Sequence, residues 1–299
     1  MYESFFGLSG KPFSLLPDAD FLFSSRKHRH VISLLEYGAV TQAGFIVVSG
    51  DVGAGKTTVI RHFIRKLGPD VVVGLITNSS HSLGRLLQWV ATAFGLEASG
   101  ADDVRIYNAF VEFLLTQYSR GKRTLLIIDE AQNLTPGMLE DLRMLSNVNN
   151  EKDQLLQIML AGQPSLLDTL HMPELQQFVQ RVSVHCHLTP LEPHETSQYI
   201  RYRLGMVGGD PNIFDDTACA AVHFFTDGVP RLINLLCDYS LMYAFAEDKH
   251  YITVNTVVEA VHDRNNDGLS AFRNVTHGQT EREMMNRFMG IFHHIRRAA

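Results

Sequence analysis

The sequence predicts an α/β fold, in which a core built on a parallel sheet is followed by a smaller unit made only of helices. Three observations carry this prediction. Between residues 45 and 188, short apolar runs alternate with helix-length segments, which is typical of parallel sheets buried on both faces. A glycine-rich loop lies between the first apolar run and a helical segment. After Thr189-Pro190-Leu191 the chain shows helical periodicity alone.

The composition narrows the class of protein. The chain has 299 residues, and 45% of them are hydrophobic, enough to bury a core and exclude bulk disorder. Its 26 Lys and Arg against 32 Asp and Glu give a net charge of −6, which argues against a protein that coats nucleic acid. The three cysteines form no C-x-x-C pair, so a disulfide scaffold and a four-cysteine zinc site are excluded. Without a membrane-length apolar run or a signal peptide at the start, we expect a soluble, cytoplasmic protein.

The elements follow in order along the chain. Residues 1–44 place turn-forming Gly and Pro among phenylalanines and end in a helical stretch, Val31–Val40, which indicates a lead segment packed on the core. The predicted strands are Phe45–Ser49, Val71–Thr77, Thr124–Ile128, Leu155–Ala161 and Val182–His187. The predicted helices of the second unit are Pro193–Met206, Phe214–Thr226, Pro230–Ala246 and Val254–Val261. The predicted domains are therefore the lead segment 1–44, an α/β core at 45–190, a helical unit at 191–265 and a tail at 266–299.

The loop Gly50–Thr57 satisfies the pattern G-x-x-x-x-G-K-[ST] between a strand and the helical segment Thr58–Leu67. Its glycines let successive backbone N–H groups face a phosphate, and the helix adds its positive end. Lys56 is predicted to reach the β and γ phosphates of ATP, and the Thr57 hydroxyl to bind Mg²⁺. A glycine-rich turn that binds nothing is the alternative. The predicted nucleotide-binding residues are Gly50, Asp51, Val52, Gly53, Ala54, Gly55, Lys56, Thr57 and Thr58.

The third predicted strand ends in two carboxylates, Asp129 and Glu130. Following a phosphate loop, such an Asp is expected to hold Mg²⁺, while hydrolysis needs a second group that activates water. Adjacent strand residues point to opposite sides, so the two carboxylates can serve these two roles. A solvated surface carboxylate at Glu130 is the alternative.

Further motifs resemble the AAA+ ATPases, and one branch of them matches more closely: the ExeA or general-secretion-pathway A family. That family includes pilus proteins of the MshM type and ATPases of exosortase and exopolysaccharide loci. The motifs that carry the resemblance are Phe6-Gly7-Leu8, Pro12-Phe13, Pro17-Asp18, Asp129-Glu130-Ala131-Gln132-Asn133-Leu134, Gly162-Gln163-Pro164, Gln180-Arg181-Val182, Leu188-Thr189-Pro190-Leu191 and Gly228-Val229-Pro230-Arg231. The resemblance implies a P-loop NTPase with five parallel strands, one of them added between the P-loop strand and the Asp129 strand, and a helical lid.

The resemblance also assigns three further site residues. Gln163 falls at the first sensor position, where many members have Asn, and is implied to bond the γ-phosphate or the attacking water. Arg231 falls at the second sensor, on a lid helix. Arg181 is placed as an arginine finger that enters the site of a neighbouring copy, which implies a ring or filament of identical chains. The alternative for Arg181 is an ordinary cation at a helix C-terminus.

Other features leave their alternatives open. Tyr199 and Ile200 could pack on adenine, but core packing is the better interpretation. His185-Cys186-His187 lacks the further ligands of a zinc site. The basic clusters Arg26–His30 and Arg61–Lys66 favour a solvated helix face over DNA contact. The tail segment Glu281–Arg297 is a basic amphipathic helix that could lie on a membrane, dock on a partner or dock on its own domain.

These observations predict a Mg-ATP-dependent ATPase that assembles side by side. The resemblance adds support of an envelope, pilus, secretion or polysaccharide-export apparatus. With neither a spanning helix nor a periplasmic module after the lid, we expect the link to the envelope, including any peripheral contact with the inner membrane, to run through a partner or the tail. Two alternatives remain: a TnsC-like regulator that binds DNA in an ATP-dependent way, and an ATP-gated scaffold in which turnover is incidental.

Overall fold

The structure is a computed structural model that describes residues 1–77, 86–98, 100, 102–148, 154–266, 268, 271–272 and 281–298. Contacts divide the chain into two compact units. The sheet unit comprises Arg26–Val52 and Lys56–Leu188, and the helical unit comprises Met1–Ser25, Gly53–Gly55 and Thr189–Ala299.

The predicted five-stranded parallel sheet is confirmed, with strand ends that differ from the prediction by at most one residue. Its strands are β1 (Phe45–Gly50), β2 (Val71–Ile76), β3 (Arg123–Ile128), β4 (Leu156–Gly162) and β5 (Val182–Leu188). They lie in the order β2-β3-β4-β1-β5, and each neighbouring pair is parallel. β4 therefore lies between β1 and β3, as the family resemblance implied.

Burial along the strands follows their place in the sheet. The central strands β1 and β4 are buried at every residue, because helices cover both faces of a parallel sheet. β5, at one edge, alternates between exposed and buried residues. β2 was expected to be buried on both faces, but it is largely half-exposed because it forms the other edge.

Helices precede β1 and connect the strands of the sheet unit. They are α2 (Arg26–Val40), α3 (Lys56–Lys66), α4 (Leu86–Ala93), α5 (Asp103–Ser119), α6 (Pro136–Leu145), α7 (Ser165–Leu170) and α8 (Gln176–Val179). Local sequence explains where several of them begin. The Asp102 and Thr135 side chains accept N–H bonds at the starts of α5 and α6, and Pro136 stands at the first position of α6, where its missing N–H costs nothing.

The helical unit contains α1 (Tyr2–Phe5), α9 (Pro193–Met206), α10 (Asp216–Thr226), α11 (Pro230–Ala246), α12 (Val254–Asn266) and α13 (Glu281–Ala298). α9 begins with a capping box between Glu192 and Glu195, and the Asp215 side chain caps α10. The sequence placed the start of α10 at Phe214. In the structure Phe214 instead forms an isolated parallel β-bridge with Ile252, and the helix begins two residues later.

The predicted lead segment, residues 1–44, divides between the two units. Tyr2, Phe6 and Phe13 belong to the apolar core of the helical unit, while α2 packs on β5 in the sheet unit. The tail is likewise part of the helical unit, because α13 packs on α9 and α10. In the described part of the chain, no helix is both long and apolar enough to cross a membrane.

Candidate functional site

The loop between β1 and α3 has the backbone of a phosphate cradle. Gly53 and Gly55 adopt φ of +80° and +99°, a region that favours glycine. No side chain fits at Gly50 either, because a Cβ there would lie 2.6 Å from the Leu188 carbonyl oxygen. α3 begins at Lys56, so its first N–H groups and its positive end follow the loop directly.

Lys56 turns back into this loop. Its side chain is buried, and Nζ donates to the carbonyl oxygens of Gly50 at 2.7 Å and Asp51 at 3.0 Å. Burial lowers the pKa of Lys56, while the nearby carboxylates of Glu130, Asp129 and Asp51 act in the opposite direction. The ammonium is therefore held beside carboxylates and loop carbonyls.

Thr57 and Asp129 come together although 72 residues separate them. The Thr57 hydroxyl donates to Asp129 Oδ2 at 2.8 Å, and the backbone N–H of Glu130 donates to Oδ1 at 3.0 Å. Asp129 is only 5% exposed. A hydroxyl and a carboxylate are the hard oxygen donors that Mg²⁺ prefers, with water and phosphate oxygens completing its shell. Residues 57 and 129 therefore fit the metal expected of them.

Glu130 has a positive φ of 54°, uncommon for a residue other than glycine. It stands just before a short 3₁₀ helix, Ala131–Asn133, where the chain turns away from β3. Gln132 Nε2 donates to Glu130 Oε2 at 2.6 Å, and Gln132 Oε1 accepts the N–H of Gln163 at 3.0 Å. The structure thus brings Glu130 and Gln163 to one amide.

The contacts of Gln132 were not predicted from the sequence, where this residue is one letter of the motif at residues 129–134. The available signal was an amide side chain on the turn that follows the strand ending in Asp129. That signal is weak, because such turns commonly hold polar residues.

Arg231 and part of the phosphate loop belong to the same unit, because Gly53–Gly55 group with the helical unit. The N–H of Arg231 donates to the Gly53 carbonyl at 3.2 Å. A Cβ at Gly53 would lie 2.8 Å from the Cβ of Arg231. The second predicted sensor therefore sits beside the loop, at the first turn of α11.

Arg181 immediately precedes β5, at the end of the sheet where the strands begin. Its guanidinium Nη1 donates to Asn147 Oδ1 at 2.5 Å and Ser146 Oγ at 3.2 Å, and lies 3.4 Å from the Arg143 carbonyl oxygen. The phosphate loop follows β1 at the opposite end of the sheet, where the last residues of β1 and β5, Gly50 and Leu188, pair. Arg181 is therefore not brought together with Lys56, Asp129 and Glu130.

Several remaining residues have structural partners. Tyr199 and Ile200 are buried in the helical unit, where the Tyr199 hydroxyl donates to Asn234 Oδ1 at 2.7 Å, so both pack in its core. His185 and His187 both approach the Ser49 hydroxyl, at 3.1 and 2.9 Å, while the Cys186 thiol is buried. Among the described residues, no cluster of three or more His, Cys, Asp or Glu could hold a metal ion.

The basic clusters and the tail also make local contacts. Lys66 pairs with Glu36 at 3.2 Å, and His28 is buried. Ile291 and Ile295 of α13 are buried in the helical unit. Of the three alternatives for the tail, the structure shows docking on the chain's own helices.

Comparison with known proteins shows what the chain is similar to. Residues 40–170 match a family model described as an AAA domain. Over 264 residues the chain is 37% identical to general secretion pathway protein A of Aeromonas hydrophila, covering 88% of this chain and 48% of that protein. Residues 40–170 therefore form an AAA domain, and the chain is a relative of general secretion pathway protein A. It spans about half the length of that relative.

Several solved structures share the fold. Cdc6p of Pyrobaculum aerophilum matches with a TM-score of 0.62 at 16% identity, over 90% of this chain and 74% of that one. ORC1 of Aeropyrum pernix, solved in complex with DNA, matches with 0.60 at 18% identity, over 94% and 81%. RuvB of Thermotoga maritima, a Holliday junction branch migration motor, matches with 0.52 at 16%, over 86% and 75%. At these identities the likeness concerns the fold alone.

Proposed function

We propose that this AAA-family chain binds ATP with Mg²⁺, hydrolyses it slowly, and works as an assembly of identical copies. The observation that carries the proposal is the 2.8 Å bond between Thr57 and Asp129, which places the hydroxyl and the carboxylate beside the loop that holds Lys56. Two parts of the sequence far apart along the chain, the loop at residues 50–57 and Asp129, thus converge on one end of the sheet. Such convergence at the carboxyl ends of parallel strands is where ligands bind in this class of fold.

Each residue has a role in the proposed reaction. Thr57 and Asp129 hold Mg²⁺, which when bound neutralises charge on the phosphate oxygens. Lys56 exchanges its two carbonyl partners for phosphate oxygens. The negative charge of the phosphate then offsets the cost of burying the ammonium. Glu130 orients the attacking water and accepts its proton.

The two sensor residues complete one chain's contribution. Gln163 follows β4 and is joined to Glu130 through the amide of Gln132, and its own side-chain amide hydrogen-bonds the γ-phosphate or the attacking water. Arg231 bonds the γ-phosphate from the first turn of α11. The contact between Arg231 and Gly53 supports this role, because it keeps the arginine at the loop.

Arg181 is proposed to act in a neighbouring copy. The seven residues of β5 extend about 20 Å at 3.3 Å per residue, and Arg181 lies at the end remote from Leu188 and Gly50. An arginine side chain cannot cover that distance within its own sheet unit. A site that uses Arg181 is therefore incomplete in a single copy, which supports a ring or filament.

We propose further that turnover supports assembly of an envelope, pilus, secretion or polysaccharide-export apparatus. The support for this part is the relation to general secretion pathway protein A. Burial of Ile291 and Ile295 leaves the basic residues of α13, or a partner protein, as the means of peripheral contact with the inner membrane.

The experiment compares phosphate release by the parent chain with that of Glu130→Gln, each with and without duplex DNA. We expect Mg²⁺-dependent turnover in the parent. The variant should retain ATP binding and lose about 10²-fold or more of kcat, the usual effect of removing a general base. Turnover that requires duplex DNA would favour the DNA-binding alternative. Normal turnover by Glu130→Gln would contradict the role given to Glu130.

A further inference from the structure

Gln132 joins two segments that follow different strands of the sheet. Its Nε2 donates to Glu130 Oε2 at 2.6 Å, on the turn after β3. Its Oε1 accepts the backbone N–H of Gln163 at 3.0 Å, just after β4. β3 and β4 are neighbours in the sheet, so this single amide links two adjacent strand ends.

The surroundings of Gln132 fit this link closely. A Cβ added at Gly162 would lie 3.1 Å from Gln132 Oε1 and 3.2 Å from its backbone N. The missing side chain at Gly162 therefore lets the amide reach the Gln163 N–H. Gln132 is partly buried, which strengthens both hydrogen bonds relative to water-exposed ones.

We propose that Gln132 is a positioning residue for ATP hydrolysis, which rests on the proposed function. Its two hydrogen bonds fix the orientation of the Glu130 carboxylate and the position of the Gln163 backbone. The distance between Glu130, which activates water, and Gln163, the first sensor, is thereby held constant. A shift of about 1 Å in such a group can cost about 100-fold in rate.

The test uses the full chain and three variants. Gln132→Ala removes both hydrogen bonds, and we expect kcat to fall about 10–100-fold while KM for ATP stays within about threefold. Asn133→Ala changes the exposed neighbouring residue on the same 3₁₀ helix and serves as the control, with parental kinetics.

Gln132→Glu separates positioning from general structural damage. The introduced carboxylate still accepts from Gln163, but it repels Glu130 when both are ionised. We therefore expect Gln132→Glu to lose kcat as Gln132→Ala does, although it keeps the hydrogen bond from the Gln163 N–H.

A second readout does not depend on turnover. Loss of the Gln132 acceptor should increase hydrogen exchange at the Gln163 amide by at least about tenfold, measured by NMR without nucleotide. Unchanged exchange in Gln132→Ala would overturn the inference even if the parent proves to have no ATPase activity. Parental kcat in Gln132→Ala would overturn it as well. An inactive parent with increased exchange would instead refute the proposed function and leave the link in place.

Discussion

At the scale of single residues, the helical unit contains two glycines with the same backbone angle and different surroundings. Gly208 and Gly228 both have φ of +74°. A Cβ at Gly208 would meet no atom within 4 Å, whereas one at Gly228 would lie 2.1 Å from the Leu191 carbonyl oxygen. The Gly228 carbonyl also accepts the Leu191 N–H at 2.9 Å. Conformation and packing can therefore be separated experimentally.

We expect Gly208→Ala to lower the free energy of unfolding by about 1 kcal/mol, the cost of a left-handed conformation for a residue with a Cβ. Gly228→Ala carries the same conformational cost and must also displace the Leu191 backbone, so we expect about 3 kcal/mol or more. Urea denaturation of the two variants and the parent measures both values. Equal losses would show that the segment at Leu191 yields without cost.

The site residues show what the sequence could predict at this scale. That Lys56, Thr57 and Asp129 come together was predictable because the phosphate-loop pattern and the acidic strand end fix residue types at set spacings. The contacts of Gln132 were not, since they depend on the neighbouring strand β4, which lies next to β3 in space only after the sheet has formed. Hydrogen bonds between segments distant in sequence leave no spacing pattern to read.

At the scale of elements, His223 joins two helices of the helical unit. It lies on α10, and its Nδ1 is 2.8 Å from the Thr196 hydroxyl of α9. Burial lowers the pKa of His223 to about 4, and His294 of α13 adds to this effect, while Asp227 and Glu192 oppose it. His223 is therefore neutral in the folded chain over a pH range in which it is protonated in the unfolded chain.

Stability contributed through His223 should fall as the pH decreases. Between pH 6.5 and about 4 the unfolded chain binds a proton at this position that the folded chain does not, so acid favours unfolding. At about 1.4 kcal/mol per pH unit, the full effect is about 3 kcal/mol at pH 4. We expect His223→Gln to remove this part of the pH dependence, measured as the difference in unfolding free energy from the parent at pH 7 and pH 4. Parallel curves for the two proteins would contradict the assignment.

The tail helix marks the limit of prediction for elements. Apolar residues at helical spacing predicted a helix at Glu281–Arg297, and α13 spans Glu281–Ala298. Periodicity identifies which face is apolar but not what covers it. Ile291 and Ile295 are buried where α13 packs on α9 and α10, and Arg287 pairs with Asp227 at the end of α10. Those contacts join residues some 60 to 100 positions apart, so the sequence alone left three alternatives.

At the scale of the whole molecule, the proposed role of Arg181 requires a second copy of the chain to complete a site. Its hydrogen bonds to Asn147 and Ser146 place it at the sheet edge where the strands begin. The sequence predicted its position before β5 but could not separate a trans role from that of an ordinary helix-end cation. Both interpretations place an arginine at the same residue, and only a neighbouring copy distinguishes them.

Complementation between two inactive variants tests the trans role directly. We expect Arg181→Ala to lose about 10³-fold in kcat, the scale of an arginine finger, and Glu130→Gln to be inactive for its own reason. In a mixture of equal amounts, a chain with Arg181→Ala still supplies Glu130, while its neighbour with Glu130→Gln supplies Arg181. Random pairing of this kind restores about a quarter of the sites. The recovered rate should rise with total protein concentration, because assembly precedes turnover.

Thermal unfolding of Arg181→Ala shows whether loss of its bonds to Asn147 and Ser146 damages the fold. A well-folded Arg181→Ala whose mixture recovers no activity would rule out the finger.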